Sequence, residues 1–142
     1  MTGIANTHRM ARLYNHITRE SLVFPTLAVG APVVSSAANW TYGVYATVMA
    51  ATTILAPFHI HAVSIESCDQ NAVFQLQLYQ SAADTVVSTV RFAVAGGFFG
   101  NQVYPIGSAL IPANARIRAR LASSDGLANQ ATISISFVYV IE

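Results

Sequence analysis

The chain has 142 residues, 54% of them hydrophobic and 9% charged, against a charged share of about 25% in ordinary soluble domains. Its seven basic residues are all arginine and stand against six acids, for a net charge of +1; that balance creates no long-range field to draw in nucleic acid or an anionic membrane. A single cysteine, Cys68, excludes an internal disulfide framework and a cysteine metal cluster, and the length suits one domain that buries roughly 70% of its unfolded surface.

The first stretch differs from the rest. In "NTHRMARLYNHITRE", residues 6–20, Met10, Leu13, Tyr14 and Ile17 recur at three and four residues, while Arg9, Arg12, His16 and Arg19 form the opposite stripe. Asn6 or Thr7 can cap the start, and the run ends before Pro25. This predicts a short helix or extended arm over residues 1–24, leading into a body over 25–142. A helix so short is marginal alone in water. The arm is therefore expected to dock on a neighbouring subunit or larger scaffold, with Arg9, Arg12 and Arg19 as partner-binding residues. The stretch lacks the continuous apolar core of a secretory signal.

Between Glu20 and Glu66, forty-five consecutive residues carry no Asp, Glu, Lys or Arg. A free monomer normally scatters charge over such a span to stay soluble and to block edge pairing. Coverage by other subunits explains the deficit most simply. The competing membrane reading fails on "YGVYATVMAATTILAPF", residues 42–58, which contains Gly43 and Pro57, is rich in Thr and Ala, and is shorter than about 20 apolar residues.

The body reads as strands. In Val73–Tyr79, Phe74, Leu76 and Leu78 share one face and Gln75 and Gln77 the other; in Thr85–Val94, Val86, Val90, Phe92 and Val94 oppose Thr89 and Arg91; in Ala131–Ile141, Ile133, Ile135, Phe137, Tyr139 and Ile141 line up. A period of two in β-branched and aromatic residues marks half-buried strands. Further strands are expected at 22–24, 31–34, 44–55, 58–66, 102–106 and 115–122. Turn-rich segments such as "SCDQN", "SAAD", "AGGFFGN", "IPAN" and "SSDGLANQ" separate them. The fold expected is all-β, an antiparallel β-sandwich or jelly roll of about eight strands.

In "ARIRARLA", Ala115, Ile117, Ala119 and Leu121 face one way and Arg116, Arg118 and Arg120 the other, about 6 to 7 Å apart along a strand. Guanidinium forks suit carboxylate and phosphate alike. The stripe is a protein interface or cross-strand partner of acids, a solvated face, or a grip on nucleic acid; the first is preferred, since a nucleic-acid site adds a wider basic field and stacking aromatics. Phe98 and Phe99, between glycines in "AGGFFGN", either anchor a partner or fold back to plug one end of the sandwich. Trp40, Tyr42 and Tyr45 in "NWTYGVY" suit a sugar-binding face or an interface.

His59 and His61 share a strand face in "FHIH", yet zinc needs at least a third protein ligand and none is clearly placed. No nucleophile elbow, metalloprotease motif or phosphate-binding loop occurs. Neither an enzyme nor a metal or other cofactor is expected.

On "WTYGVYATV", "FHIHAVSIES" and "IPANARIRARLASSDGLANQATISISFVYV", which span most of residues 40–140, the chain resembles small virion structural proteins of tailed bacteriophages, in particular capsid decoration or cement proteins. The resemblance implies a homotrimer or other homo-oligomer, made in the host cytoplasm and bound on the capsid surface to the major capsid protein, which steadies the shell. Physically, the body would oligomerise through neutral strand faces while the arm and the arginine stripe meet acidic patches. Neither membrane nor nucleic acid is an expected partner. The alternative is a carbohydrate-binding β-sandwich module of a phage tail or adhesin, using Trp40, Tyr42, Phe98 or Phe99.

Overall fold

The computed structural model describes residues 21–26, 29–81, 85–98 and 100–140. Arg9, Arg12, Arg19 and Phe99 lie outside them, as does the predicted helix over residues 6–20. Among the described residues nine strands occur in chain order: β1 Leu22–Phe24, β2 Ala31–Val34, β3 Ala46–Met49, β4 Phe58–Cys68, β5 Val73–Gln80, β6 Thr85–Ala93, β7 Gln102–Pro105, β8 Ile117–Ser123 and β9 Gln130–Tyr139.

They form two antiparallel sheets. The first runs β1-β9-β4-β7, with β2 also on β9; the second runs β3-β8-β5-β6. β1 pairs with Ile135–Phe137 and β2 with Gln130–Ile133 of β9, so the two make one interrupted edge strand. Counted that way, the chain is a long hairpin, first strand on last, β3 on β8, β4 on β7, β5 on β6. Rolling it up brings β9 onto β4 and β8 onto β5. This is a jelly-roll sandwich.

The edge breaks at Pro25, which has no N–H for a ladder bond. It resumes at Gly30, whose N–H donates to Glu66 Oε2 at 2.8 Å. A Cβ on Gly30 would run into the Ile133 carbonyl. Only glycine lets β2 approach β9 this closely.

Phe58, Ile60, Val63 and Ile65 of β4, Phe74, Leu76 and Leu78 of β5, Ile117 and Leu121 of β8, and Ile133 and Ile135 of β9 are buried between the sheets. Each large side chain so buried contributes about 1.5–3 kcal/mol. Phe74 stacks on Phe92 at 5.1 Å between ring centres, and Phe58 meets Phe137 edge-on at 5.5 Å. The inward faces expected of β5 and of β9 as far as Tyr139 are therefore present, and Ile141 lies outside the described residues.

β6 departs from its expected pattern. A register shift opposite Leu78/Tyr79 pairs Tyr79 with Val86 and skips Val87. The extra residue reverses the alternation, so Val86 is 45% exposed while Val87 packs against the core with Val90 and Phe92. β3 is also shorter than the expected strand over 44–55, because the backbone turns at Thr52, whose φ is 65°. β4 carries two register shifts against β9, between Ile60 and Ala62 and between Ile65 and Ser67, and it continues to Cys68.

Candidate interaction face

The arginine stripe is built as its alternation requires. Ile117, Ala119 and Leu121 of β8 are buried in the core; Arg118 and Arg120 emerge half-buried on the outer face, and Arg116, just before the strand, is exposed. On the adjacent β5, Gln75, Gln77 and Tyr79 face outward, with Gln77 opposite Arg120 and Tyr79 opposite Arg118. Beyond it, Arg91 of β6 lies opposite Gln75.

The aromatic residues come from the segment entering β3. Trp40 N–H donates to the Ser123 carbonyl at 2.8 Å and Gly43 N–H to the Leu121 carbonyl at 2.9 Å, which lays residues 40–45 along β8. A Cβ on Gly43 would collide with the Val34 carbonyl. The segment thereby carries Trp40, Tyr42 and Tyr45 onto the face.

There the cations and rings alternate. The Arg120 guanidinium carbon lies 4.2 Å from the Tyr42 ring centre and 4.8 Å from that of Tyr45; Arg118 lies 4.6 Å from Tyr45 and 5.4 Å from Tyr79; Arg91 sits 5.0 Å from Trp40. Each such contact is worth about 0.5–1 kcal/mol at an exposed site. Amides hold the edges of the forks. Arg120 Nε donates to Gln77 Oε1 at 2.7 Å, Arg91 Nη2 to Gln75 Oε1 at 2.8 Å, and Gln75 Nε2 to the Tyr42 hydroxyl. Arg116 donates to Thr47 Oγ1 at 2.6 Å. Arg118 Nε is buried without a hydrogen-bond partner.

The described carboxylates are engaged elsewhere. Glu66 accepts from Gly30 N–H, Asp69 from Gln130 N–H, and Asp125 from Ser123, Leu127 and Asn129. Hydrogen bonds from Asn129, and then from the Leu127 backbone, hold the Asp125 carboxyl below its ordinary range. Among the described residues, every arginine is on this one face and no carboxylate pairs with it. Among the described residues, the cross-strand partners of the stripe are tyrosine and glutamine and not acids.

The remaining candidates are scattered. Phe98 is half-buried and packs back against the core. His59 Nδ1 lies 3.1 Å from the Ser108 carbonyl and His61 Nε2 2.6 Å from Ser21 Oγ. Among the described residues no group of three His, Cys, Asp or Glu side chains is placed to hold a metal. Cys68 is half-buried, and that burial pushes its thiol pKa up. No described helix is long and apolar enough to cross a membrane.

The outer face of the first sheet has the opposite character. Ser64 pairs across strands with Ser134, and Ala62 with Ser136. Thr132 and Ser134 are buried, and Val23 and Val103 on the flanking strands are 46% and 61% exposed. The side chains at its centre are small and neutral.

Sequence reasoning found Arg116, Arg118 and Arg120 and, separately, Trp40, Tyr42 and Tyr45. It missed Gln75, Gln77, Tyr79 and Arg91 as members of the same face. Their outward direction was legible, but their company depends on β5 lying between β6 and β8.

No protein-family model matches the chain, and no curated protein matches it. Among solved structures it is similar to the infectious bursal disease virus Gt strain structure, at 13% identity over 86% of this chain and a TM-score of 0.43, and to the Gx strain structure at 17% identity, 86% coverage and 0.41. The VP2 subviral particle of the same virus is similar at 12% identity, 86% coverage and 0.41. This chain spans about a third of the length of those chains, 32% for both strain structures and 33% for the particle. At such identity the likeness assigns no function.

Proposed function

We propose that the protein is a virion structural subunit of the decoration or cement type, which forms a homo-oligomer and binds the major capsid protein on the outside of a shell. The observation that carries this reading is the unlike chemistry of the two outer faces of the sandwich. One has small side chains at its centre, Ser64, Ser134 and Ser136, of which Ser64 and Ser134 are buried, and exposed valines at its margins. Its exposed valines, Val23 and Val103, carry no charge that would keep copies of the chain apart. The other is rich in Arg, Tyr and Trp, the residue types that dominate protein interfaces.

No catalytic role belongs to this reading. Jelly rolls serve as both viral capsid and lectin domains, so the fold accommodates it and does not decide it. The trimeric state and the capsid location rest on the resemblance of the sequence to phage decoration proteins.

Density-gradient sedimentation of the natively produced protein, with gel quantification of particle-associated chains, tests the assignment. Co-migration with capsids in a fixed ratio to the main shell protein is the expected result. A free oligomer absent from every particle overturns it.

The exposure of Trp40, at 47%, favours a second reading as a carbohydrate-binding module. Reproducible glycan-array binding abolished by Trp40→Ala would select it.

A further inference from the structure

We propose that the outer face of the second sheet docks an acidic, extended segment of a partner protein, with carboxylates at alternate positions set against Arg118 and Arg120. The proposal rests on the virion reading for the partner's location, but its chemistry comes from the face itself.

Charge complementarity comes first. Every described arginine converges on one face where no described carboxylate answers it, and the described acids are spent on backbone and side-chain donors elsewhere. The sequence as a whole is almost neutral. The excess is therefore local, and a local carboxylate cluster is what it fits.

The stacking decides between a carboxylate and a nucleic acid. Single-stranded nucleic acid is held by bases stacking on open aromatic faces together with a basic groove. Here guanidinium groups already lie over Tyr42 and Tyr45, and Tyr45 is additionally 5.0 Å from Tyr79. Rings and cations use each other's faces, Arg120 Nε is taken by Gln77 and Arg118 Nε is buried, which leaves the terminal Nη groups of the two forks to bond a partner. Bidentate bonding of this kind suits a carboxylate, and with those ring faces taken the stacking that would hold bases is lost.

The period fits an extended partner. Arg118 and Arg120 are two residues apart on a strand, about 6.6–6.8 Å, and alternate side chains of any extended segment repeat at the same distance. A strand packed over a sheet runs within about 30° of it, close enough to keep two or three pairs in step. The forks are also held in advance by Gln77 and by the rings, so less side-chain entropy is lost on binding. Beside Tyr42, a shallow hollow walled by Val34, Gly43 and Val44 offers an apolar anchor next to the charges. Pairing a buried apolar anchor with polar contacts around it is the usual layout of an interface hot spot.

The test uses the full chain and a labelled synthetic peptide of about ten residues, strand length, alternating Glu with Thr or Val, read by fluorescence anisotropy at low salt. A peptide of the same composition with its Glu residues in one block, and single-stranded oligothymidylate, are the comparison probes. The expected result is binding of the alternating peptide in preference to both, weakening as salt rises. Arg118→Gln/Arg120→Gln should weaken it at least about tenfold. Arg118→Lys/Arg120→Lys keeps charge but loses the planar fork, and should fall between the two. Circular dichroism and thermal unfolding establish that each variant is folded, and the lysine variant carries the test if the glutamine one is not.

Equal binding by the folded glutamine variant, no binding of the alternating peptide by the wild type, or tighter binding of oligothymidylate would each overturn the proposal; the last would mark a nucleic-acid face. Failure of the two readings is separable. Wild-type and variant chains that co-sediment equally with capsids remove the docking face and leave the virion assignment. Peptide binding without any particle association does the reverse.

Discussion

The guanidinium carbon of Arg120 lies 4.2 Å from the centre of the Tyr42 ring, although the two residues belong to opposite arms of the long hairpin that rolls into the sandwich. The contact ties the segment entering β3 to β8. Tyr45 extends the tie, since it touches both Arg120 and Arg118. The same contacts that brace one edge of the second sheet thus also orient the forks that face outward.

Removal of the Tyr45 ring should uncouple both arginines. Two exposed cation–π contacts and one aromatic pair together amount to about 2 kcal/mol, so Tyr45→Ala is expected to lose roughly that in urea unfolding. Tyr45→Phe keeps the ring and should stay within about 0.5 kcal/mol of wild type. Equal losses for the two variants would assign the effect to the hydroxyl and refute the stacking account.

Gly43→Ala should act on the same face through the backbone. The added Cβ meets the Val34 carbonyl, a rigid neighbour in β2, so the segment must lift away from β8 and lose the Gly43 to Leu121 hydrogen bond. An overpacking cost of about 1–3 kcal/mol is expected. Tryptophan fluorescence should shift as well, because Trp40 is carried by the same segment. A variant with wild-type stability and an unchanged Trp40 spectrum would show that the close approach is not needed.

Much of the sandwich was legible because its strands bury one face each. The runs around Phe74, Leu76 and Leu78 and around Ile133, Ile135 and Phe137 announce their inward sides, and those sides are buried. β6 misled because a single skipped residue, Val87, reverses alternation and leaves no mark in local composition. The outward direction of Arg118 and Arg120 was equally readable. What touches them was not, since Gln77 and Tyr79 come from one neighbouring strand and Tyr42 and Tyr45 from the segment entering another. Register within a strand is a property of its own sequence, whereas adjacency is a property of the whole topology.

Cys68 offers a check on local burial. Desolvation raises its thiol pKa, with the nearby charge of Asp69 acting in the same direction and backbone hydrogen bonds opposing. Alkylation proceeds through the thiolate. At pH 8 the folded protein should therefore react with iodoacetamide more slowly than the urea-unfolded chain, and the rate should keep rising above the ordinary thiol range of about 8.5. Comparable rates in the two states would place the sulfur in open solvent.

Asp125 should confer acid sensitivity on the turn between β8 and β9. Its Oδ1 accepts from Ser123 Oγ at 2.9 Å and Leu127 N–H at 3.0 Å, and Asn129 Nδ2 donates to both carboxylate oxygens, at 2.9 and 2.8 Å. These donors favour the ionised form, led by Asn129, and place the folded pKa below the unfolded one. A group so shifted contributes its full stability above the unfolded value, about 3.9 for Asp, and loses it as the pH falls through the folded value. Thermal midpoints should therefore drop for the wild type below about pH 4. In Asp125→Asn, an amide NH2 is set against the Asn129 donors, so the midpoint at pH 7 starts lower and falls less on acidification. The two curves should converge toward low pH; curves that stay parallel would take Asp125 out of the acid transition.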